Sequence, residues 1–431
     1  MAEALHPSAI EPRQLDKLRK LLRSILPSNQ FYRTKFLELN AEAIASLGDF
    51  SRDFPFTTKA EIVADQASAP PFGTNLTFPL DQYSRFHQTS GSTGTPIRWL
   101  DTEQNWRSML QQWETIFDAA GVGSTDRMFF AFSFGPFIGF WLAFEAACKI
   151  GALCIPGGGL GSKARLRLIL ENEATVVCCT PTYALRLREV AIQEGVDLSA
   201  SKVRIILVAG EPGGSVAATR ARIESAWPGA RVFDHHGMTE VGPVTYECPR
   251  QPGILHVIES AFFAEVINPE NGEARGEGEE GELVLTTLDR IASPLIRYRT
   301  GDLVRARRFE PCTCGRNDLA LEGGILGRTD DMVVIRGVNI YPSAIEEIIH
   351  SIGEITEYRV SIVRGRSALD EMEVSIEPGP SCKDPQALAA RLADLFHARL
   401  ALRVPVLIAS GSLPRFEMKA SRWVRTGRET S

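Results

Sequence analysis

The segment QTSGSTGTP, residues 88–96, has the composition of a loop that could bind phosphate, with two glycines and five hydroxyl residues. Glycines allow backbone N–H groups to converge on an anion, and serine and threonine hydroxyls add donors for the oxygens of a polyphosphate. The segment lacks the Gly-Lys-Ser/Thr ending of the Walker loop, because Thr95 and Pro96 follow Gly94. Taken alone, it fits either a phosphate-binding loop or an ordinary surface loop.

Three cysteines and one histidine form a second set of residues with the chemistry of a site. Cys312 and Cys314 have a spacing that suits a shared metal, but they supply only half of a tetrahedral site. Cys248 and His256 can complete a Cys3His set, a standard shell for structural zinc. The alternative is that the cysteines are free thiols. A zinc ion here would fix loops and take no part in catalysis.

Strands and helices alternate from residue 128 onward, and these elements must position the candidate residues. Buried strands are predicted at MFFAFSF, ALCIP, TVVCC and RIILVAG, and helices at residues 138–150, ARLRLILENE, YALRLREVAIQ and SVAATRARIESAW. This alternation predicts a parallel, doubly wound sheet. Ligands bind such sheets at the carboxyl ends of the strands, where the loops AGEPGG and HHGMTE fall.

The pattern changes to strands and hairpins after residue 240, with a turn-rich acidic segment at residues 268–281, and changes again near residue 328. We therefore predict an α/β protein of two domains. The large N-terminal domain, residues 1–328, has doubly wound mixed or parallel sheets and a β-rich subdomain. The C-terminal domain, residues 329–431, is a small α+β unit.

The composition of the 431-residue chain excludes some function classes. With 44% hydrophobic and 23% charged residues, the chain matches an ordinary globular protein that buries a large core. Its net charge of -6 argues against an extended nucleic-acid surface, which needs an excess of lysine and arginine on one face.

The N-terminus has neither a basic start nor an apolar core, so we predict no secretory signal and a cytoplasmic location. The apolar stretch at residues 128–149 is nearly long enough to span a bilayer. Gly135, Pro136 and Gly139 interrupt it, which favours a strand, a turn and a helix over a membrane span.

Six segments resemble, in order, the signature segments of adenylate-forming enzymes: TSGSTGTP, AGEP, HHGMTE, RYRTGD, GRTDDMVVIRGVNIYPSAIEE and LPRFEMKASR. The branch that they resemble most is phenylacetate-CoA ligase, and the likeness extends over nearly the whole chain. It favours the phosphate-binding interpretation of the first loop. The reaction that the resemblance implies has two steps. A carboxylate attacks the α-phosphorus of ATP to give an acyl-adenylate, and a thiol then takes the acyl group.

The resemblance also implies roles for individual residues at the nucleotide. The loop for the β- and γ-phosphates consists of Thr89, Ser90, Gly91, Ser92, Thr93 and Gly94. The adenine-side loop is Gly210, Glu211 and Pro212, and the HHGMTE motif adds His235, His236, Gly237, Met238 and Thr239. Glu240 corresponds to the magnesium ligand, and Asp302 to the acceptor of both ribose hydroxyls. His236 stands where the family usually has a tyrosine. We expect its imidazole to contact adenine, although the histidine doublet could instead suggest a metal.

Further roles follow from the C-terminal motifs. Lys419 corresponds to the lysine that bridges the carboxylate and the α-phosphate during adenylation, although the residues before it depart from the usual pattern. Arg328 and Asp330 match the hinge between the domains, so the resemblance implies that the small C-terminal domain is mobile. Gly337 would line the path of the pantetheine thiol. The alternatives are that Lys419 is a solvated surface lysine and that Gly337 is an ordinary turn glycine.

The aromatic segment FSFGPFIGFW corresponds to the acyl pocket of the branch, and we assign Phe134 and Phe137 to its wall. The leading hypothesis is an ATP- and Mg²⁺-dependent ligase, monomeric or homodimeric, that transfers an aromatic carboxylic acid to CoA. Alternatives of the same fold pass the acyl group to a carrier protein or adenylate a coenzyme. A catalytically inactive nucleotide-binding protein is disfavoured, because Glu240, Asp302 and Lys419 are all present.

Overall fold

The computed structural model describes residues 7–40, 44–89, 96–309, 311–335, 338–364, 370–416 and 421–426. The described chain begins with helices α1 (Pro7–Ile25), α2 (Gln30–Lys35), α3 (Leu47–Asp53) and α4 (Lys59–Ser68). Capping boxes built on Ser46 and Thr58 start α3 and α4. Buried side chains of α1, α2 and α3 pack against Leu288 and Ile296 from a later part of the chain, and Ile62 of α4 lies in the largest apolar core. The N-terminal helices are therefore integrated into the body of the protein.

A hairpin follows, formed by the antiparallel strands β1 (Tyr83–Gln88) and β2 (Arg98–Thr102). Helix α5 (Glu103–Ala120) starts where the Thr102 side chain accepts a hydrogen bond from the backbone N–H of Asn105. It ends at Gly121, whose φ of 69° is left-handed, a conformation that glycine adopts readily. Helix α5 contacts both strands of the hairpin. The hairpin is thus held on a long, well-capped helix.

The next elements alternate between strand and helix, in the order β3 (Arg127–Phe130), α6 (Trp141–Lys149), β4 (Leu153–Pro156), α7 (Ser162–Glu171), β5 (Val176–Cys179), α8 (Pro181–Gln193), β6 (Ile205–Val208), α9 (Ala217–Ala226) and β7 (Arg231–Asp234). The strands form a parallel sheet of order β4-β3-β5-β6-β7. Ile205 and Leu207 lie in one apolar core, and Ile206 and Val208 lie in another. Both faces of the sheet are therefore covered, and the predicted doubly wound sheet is confirmed.

One predicted helix begins later than the sequence indicated. The helix expected at residues 138–150 starts at Trp141, and residues 131–140 contain neither helix nor strand. Gly139 has a positive φ of 38°, and Pro136 has no N–H to donate within a helix.

The β-rich part begins with the paired strands β8 (Gly237–Met238) and β9 (Gly242–Pro243). The strands that follow are β10 (Thr245–Glu247), β11 (Ile254–Val257), β12 (Phe262–Ile267), β13 (Glu280–Thr287), β14 (Tyr298–Arg307), β15 (Ala320–Glu322) and β16 (Gly327–Arg328). They form an antiparallel sheet of order β10-β11-β15-β14-β13-β12, with β16 paired to β14. The acidic segment joins β12 to β13, whose ends pair at Ile267 and Glu282, so these two strands form a hairpin.

The C-terminal part contains β17 (Val333–Ile335), β18 (Val338–Ile340), α10 (Pro342–His350), β19 (Ile355–Arg364), β20 (Asp370–Pro378), α11 (Pro385–Leu400), β21 (Val406–Ile408) and β22 (Trp423–Thr426). Its four-stranded sheet has the order β21-β20-β19-β22. Ile345, Val374 and Leu392 contribute to an apolar core of its own. The predicted α+β character is confirmed, and the boundary at residues 328–329 stays a prediction.

Across the described ranges, every helix is too short or too polar to reach from one side of a lipid bilayer to the other. The apolar stretch at residues 128–149 forms β3, an irregular segment and α6. The interruption of this apolar stretch, which its glycines and proline predict, is therefore confirmed.

Candidate active site

The hairpin of β1 and β2 presents the predicted phosphate loop. The last residue pair of this hairpin, next to the loop, is Gln88 and Arg98. Beyond that pair, the backbone N–H of Thr89 donates to the carbonyl of Ile97 over 2.9 Å, and the N–H of Ile97 donates to the Thr89 hydroxyl oxygen over 3.0 Å. Both ends of the loop are therefore fixed. The predicted residues 90–94 lie outside the described residues, as do Gly337 and Lys419.

Asp302 is a buried carboxylate on β14, opposite Arg328 on β16. Arg328 Nη1 donates to Asp302 Oδ1 over 2.8 Å, and its Nε donates to Asp330 Oδ1 over 2.8 Å. Gly301 leaves the room for this contact, since a Cβ there would lie 3.0 Å from Arg328 Nη2. The structure thus brings together the predicted ribose ligand and both predicted hinge residues.

The second oxygen of Asp302 faces His236. Asp302 Oδ2 lies 3.1 Å from His236 Nε2, which is an ion-pair distance if the imidazole is protonated, but the two atoms make no hydrogen bond. Within the described part of the chain, both atoms are buried and make no hydrogen bond. Buried polar atoms normally have partners, so this pair is a candidate contact for the polar groups of a ligand.

The histidine doublet follows the carboxyl end of β7 and is held by Thr245. His235 Nδ1 lies 2.9 Å from the Thr245 carbonyl, and the backbone N–H of His236 donates to the Thr245 hydroxyl over 2.9 Å. Burial lowers the pKa of His235 to about 3, so its ring is neutral at physiological pH. The two rings have different roles: His235 packs at 4.6 Å from Trp113, whereas His236 faces Asp302.

Glu240 ends the same motif and is buried, with 8% of the residue exposed. Burial raises the pKa of Glu240, while the charges of Lys59 and Arg328 oppose this rise. A divalent cation would stabilise the ionised carboxylate in such surroundings. The donor chemistry therefore fits the magnesium that the resemblance implies.

A buried ion pair that the sequence did not predict contacts the backbone of Glu240. Arg290 makes a bidentate contact with Asp101, in which Nε donates to Oδ1 over 2.7 Å and Nη2 donates to Oδ2 over 2.6 Å. Arg290 Nη1 also donates to the backbone carbonyls of Thr239 (3.0 Å) and Glu240 (2.6 Å). The two charged residues are 189 positions apart, and no local pattern connects them.

The predicted adenine-side loop follows the carboxyl end of β6. Gly210 has a φ of 94°, which permits the sharp turn there. The Glu211 carboxylate accepts a hydrogen bond from the backbone N–H of Thr182 over 2.8 Å, in the first turn of α8. The side chain of Glu211 thus stabilises a helix end, and an adenine contact by residues 210–212 stays a prediction.

The aromatic segment predicted to line the acyl pocket forms a cluster of rings in front of α6. The Phe134 centroid lies 4.1 Å from that of Phe132, 4.9 Å from Trp141 and 5.4 Å from Phe144. Phe134 has a left-handed φ of 48°, which is uncommon for a residue with a side chain. Phe137 lies farther out, 6.5 Å from Phe132. The pocket role of both rings stays a prediction.

The predicted Cys3His set is assembled in the β-rich part, from β11 and the segments after β10 and before β15. One ligand atom from each of Cys248, His256, Cys312 and Cys314 lies within 4.8 Å of the others. Cys248 Sγ and Cys312 Sγ are 3.7 Å apart, and Cys314 Sγ is 3.6 Å from His256 Nε2. His256 Nδ1 lies 3.0 Å from the Asp318 carbonyl, which orients Nε2 towards the thiols.

Comparisons with known proteins agree with the motifs. The profile of the "AMP-binding enzyme" family matches residues 61–288, and that of the "AMP-binding enzyme C-terminal domain" matches residues 337–426. The phenylacetate-coenzyme A ligase of Escherichia coli (strain K12) is 32% identical over 427 residues, which cover 95% of this chain and 93% of the relative. The enzyme of that name from Thermus thermophilus is 32% identical over 87% of this chain and 83% of its own length.

Crystal structures of 2-hydroxyisobutyryl-CoA ligase show a similar fold at 27–28% identity. In the postadenylation state with 2-HIB-AMP, the TM-score is 0.93, with 98% of this chain and 91% of that chain covered. For the structure in the thioesterification state with 2-HIB-AMP and CoA, the TM-score is 0.73, with 97% of this chain and 90% of that chain covered. The arrangement of the parts in this structure is therefore similar to that of the postadenylation state. The chain belongs to the AMP-binding enzyme family, and the adenylate-forming, phenylacetate-CoA ligase-like membership predicted from its motifs is confirmed.

Proposed function

We propose that the protein activates an aromatic carboxylic acid with ATP and transfers the acyl group to the thiol of CoA. The observation that carries this proposal is the buried pair of Asp302 Oδ2 and His236 Nε2, whose atoms face each other without a hydrogen bond. A ribose hydroxyl can donate to the carboxylate, and the imidazole ring offers a flat surface beside it. The names of the relatives support CoA as acceptor.

In the first step, an oxygen of the substrate carboxylate bonds to the α-phosphorus of ATP, and the bond to pyrophosphate breaks. In this proposal Thr89 and residues 90–94 hold the β- and γ-phosphates, and Asp302 orients the ribose. Mg²⁺, held by Glu240, would neutralise charge on the phosphate oxygens. Lys419 would stabilise the negative charge that builds up between the carboxylate and the α-phosphate.

In the second step, the sulfur of CoA bonds to the acyl carbon, the bond from that carbon to the phosphate oxygen breaks, and AMP leaves while the thiol proton is released to solvent. The arrangement described here is similar to that of a postadenylation structure, so a different placement of the small domain would serve this step. Arg328 and Asp330 lie at the predicted hinge. Gly337 would leave space along the path of the thiol.

The aromatic acid as substrate is supported by the rings of Phe134 and Phe137, which are both half-buried at the segment predicted to line the pocket. Flat rings favour a flat acyl group through stacking and burial. The bond from Gln88 N–H to the Pro136 carbonyl, 2.8 Å long, joins this segment directly to the phosphate hairpin. Acyl and phosphate contacts would therefore lie next to each other.

The substrate class is tested by mass spectrometry of the CoA thioesters formed from a mixed panel of acids. The panel contains benzoates, phenylacetates, cinnamates, amino-substituted aryl acids and 2-hydroxyisobutyrate. We expect thioesters of aryl acids, with turnover at least about tenfold above that of the aliphatic acid, because the ring adds buried area. Faster turnover of 2-hydroxyisobutyrate would contradict the aromatic substrate, and adenylates without any thioester would contradict CoA as the acceptor.

We also propose that Cys248, His256, Cys312 and Cys314 hold a structural zinc ion. A tetrahedral zinc with Zn–S of about 2.3 Å and Zn–N of about 2.0–2.1 Å separates two sulfurs by about 3.8 Å and a sulfur and nitrogen by about 3.6 Å. The observed separations of 3.7 and 3.6 Å fit these values. The ion would join the segment after β10 to the segment before β15.

Elemental analysis of the purified protein is expected to find one zinc ion per chain. Cys312→Ser should lower the zinc content and the thermal stability together, because the ion crosslinks segments that are distant in the sequence. Cys382→Ser is the matched control, since Cys382 lies in the C-terminal part, away from this cluster. Zinc-free protein with full stability would overturn the proposed site.

A further inference from the structure

Two arginines of the small domain contact one helix of the large domain. Arg415 Nε lies 3.2 Å from Glu189 Oε2, and Arg422 Nη1 lies 3.3 Å from Thr182 Oγ1. Thr182 and Glu189 are both on α8, seven positions apart, so they lie on the same face about two turns from each other. The two contacts therefore fix the small domain along α8 at two points.

Each arginine is first oriented by a glutamate of its own domain. Arg415 binds Glu377 with two bonds, of 2.9 and 2.6 Å. Arg422 binds Glu357 over 2.6 and 3.3 Å, and its guanidinium lies 4.9 Å from the ring centroid of Tyr358. Because a guanidinium is planar, binding to this glutamate also fixes the direction of its remaining N–H groups before they contact α8. Of the bonds described for these two arginines, those to α8 are the ones that depend on how the domains are arranged.

Helix α8 is in turn attached to the loop predicted to face the adenine. The Thr182 backbone N–H donates to Glu211 Oε1 over 2.8 Å, so the helix end that meets Arg422 also meets the loop after β6. A neighbouring contact reinforces the interface, because Thr219 Oγ1 and His350 Nδ1 are 2.7 Å apart. The small domain is thus connected to the nucleotide side of the large domain by short polar bonds.

We propose that Arg415 and Arg422 are positioning residues that hold the small domain on α8 for the adenylation half-reaction. They lie four residues before and three residues after Lys419 in the sequence, so their contacts act on the stretch of chain that carries this lysine. The inference rests on the proposed function, and it assigns to these arginines no contact with substrate. A different domain arrangement, as in the thioester-forming step, would not need the bonds to α8.

The test changes only the partners on α8, because removing either arginine would leave a mostly buried glutamate unpaired. The double variant Thr182→Val with Glu189→Gln is expected to lower acid-dependent pyrophosphate exchange about 10- to 100-fold, because Arg422 loses its hydrogen bond to Thr182 and Arg415 loses the negative charge of Glu189. Thioester formation from a supplied acyl-adenylate should keep its wild-type rate. Arg186→Gln is the matched control, since Arg186 Nη1 also donates to Glu189 Oε2 over 2.9 Å within α8. This variant removes the pair inside the helix, keeps the bond from Arg415, and should leave both rates unchanged.

A second readout separates positioning from general damage. In a Lys419→Ala background, the double variant should cause no further loss of exchange, because the arginines act through the placement of that lysine. Equal loss of both half-reactions, wild-type exchange in the double variant, or an additional loss in the Lys419→Ala background would each overturn the inference. Absence of exchange in the wild-type protein would overturn the proposed function, on which the inference depends.

Discussion

Replacing Lys419 with alanine is expected to lower the rate of acid-dependent pyrophosphate exchange about 10²–10³-fold, the effect of losing one group that stabilises transition-state charge. The physical reason is that negative charge accumulates between the attacking carboxylate and the α-phosphate, and a lysine ammonium there is a compact positive charge. The thiol attack on a finished adenylate has no such requirement. Thioester formation from supplied acyl-adenylate should therefore stay close to the wild-type rate.

The matched control for this prediction is Lys383→Ala, which removes an exposed lysine from the same domain. We expect both half-reactions to proceed normally in that variant. If Lys419→Ala slowed the two half-reactions equally, the lysine would not have the role assigned to it. Its position in RFEMKASR would then indicate a structural or surface lysine.

The second large effect is expected for Asp101→Asn. Asp101 is fully buried and Arg290 is 3% exposed, so the substitution leaves a guanidinium charge in the interior without its counter-ion. Breaking a buried pair in this way costs about 3–5 kcal/mol of the free energy of unfolding. Arg290 also holds the carbonyls of Thr239 and Glu240, so we expect weaker binding of Mg-ATP in the folded fraction.

Chemical denaturation measures the first effect, and the KM for Mg-ATP measures the second. Glu171→Gln is the control, because its ion pair with Arg167 is a solvent-exposed helical pair that should contribute little. A free energy of unfolding equal to that of the wild-type protein would show that the Asp101 and Arg290 pair does not support the fold. Normal Mg-ATP kinetics would show that it does not support Glu240.

The sequence predicted the fold and much of the candidate site because both depend on local patterns. The alternation of apolar runs in TVVCC and RIILVAG identified the parallel strands, and the loops after β6 and β7 followed from the rule for strand ends. The Cys3His set could be predicted because few residue types ligate zinc, and four of them occur at suitable spacings. The structure brings all four together.

Other features could not be predicted because they depend on contacts between distant segments. Nothing near Asp101 indicates that its partner is Arg290, and nothing near Arg422 indicates Thr182. The start of α6 also differs from the prediction, because residues 138–140 fit a helix by composition but lie in an irregular segment in which Gly139 has a positive φ. A charged residue directly after apolar residues of a strand, such as Asp101 after Trp99 and Leu100, is a local signal that a buried partner exists.

The central claim is that this chain joins a carboxylic acid to the AMP portion of ATP before any thiol takes part. Exchange of labelled pyrophosphate into ATP, measured without CoA and with each acid in turn, tests it most directly. We expect exchange that requires both Mg²⁺ and an aromatic acid, and that is lost in Lys419→Ala but retained in Lys383→Ala. Exchange that is absent with every acid, or that appears only after CoA is added, would contradict the account.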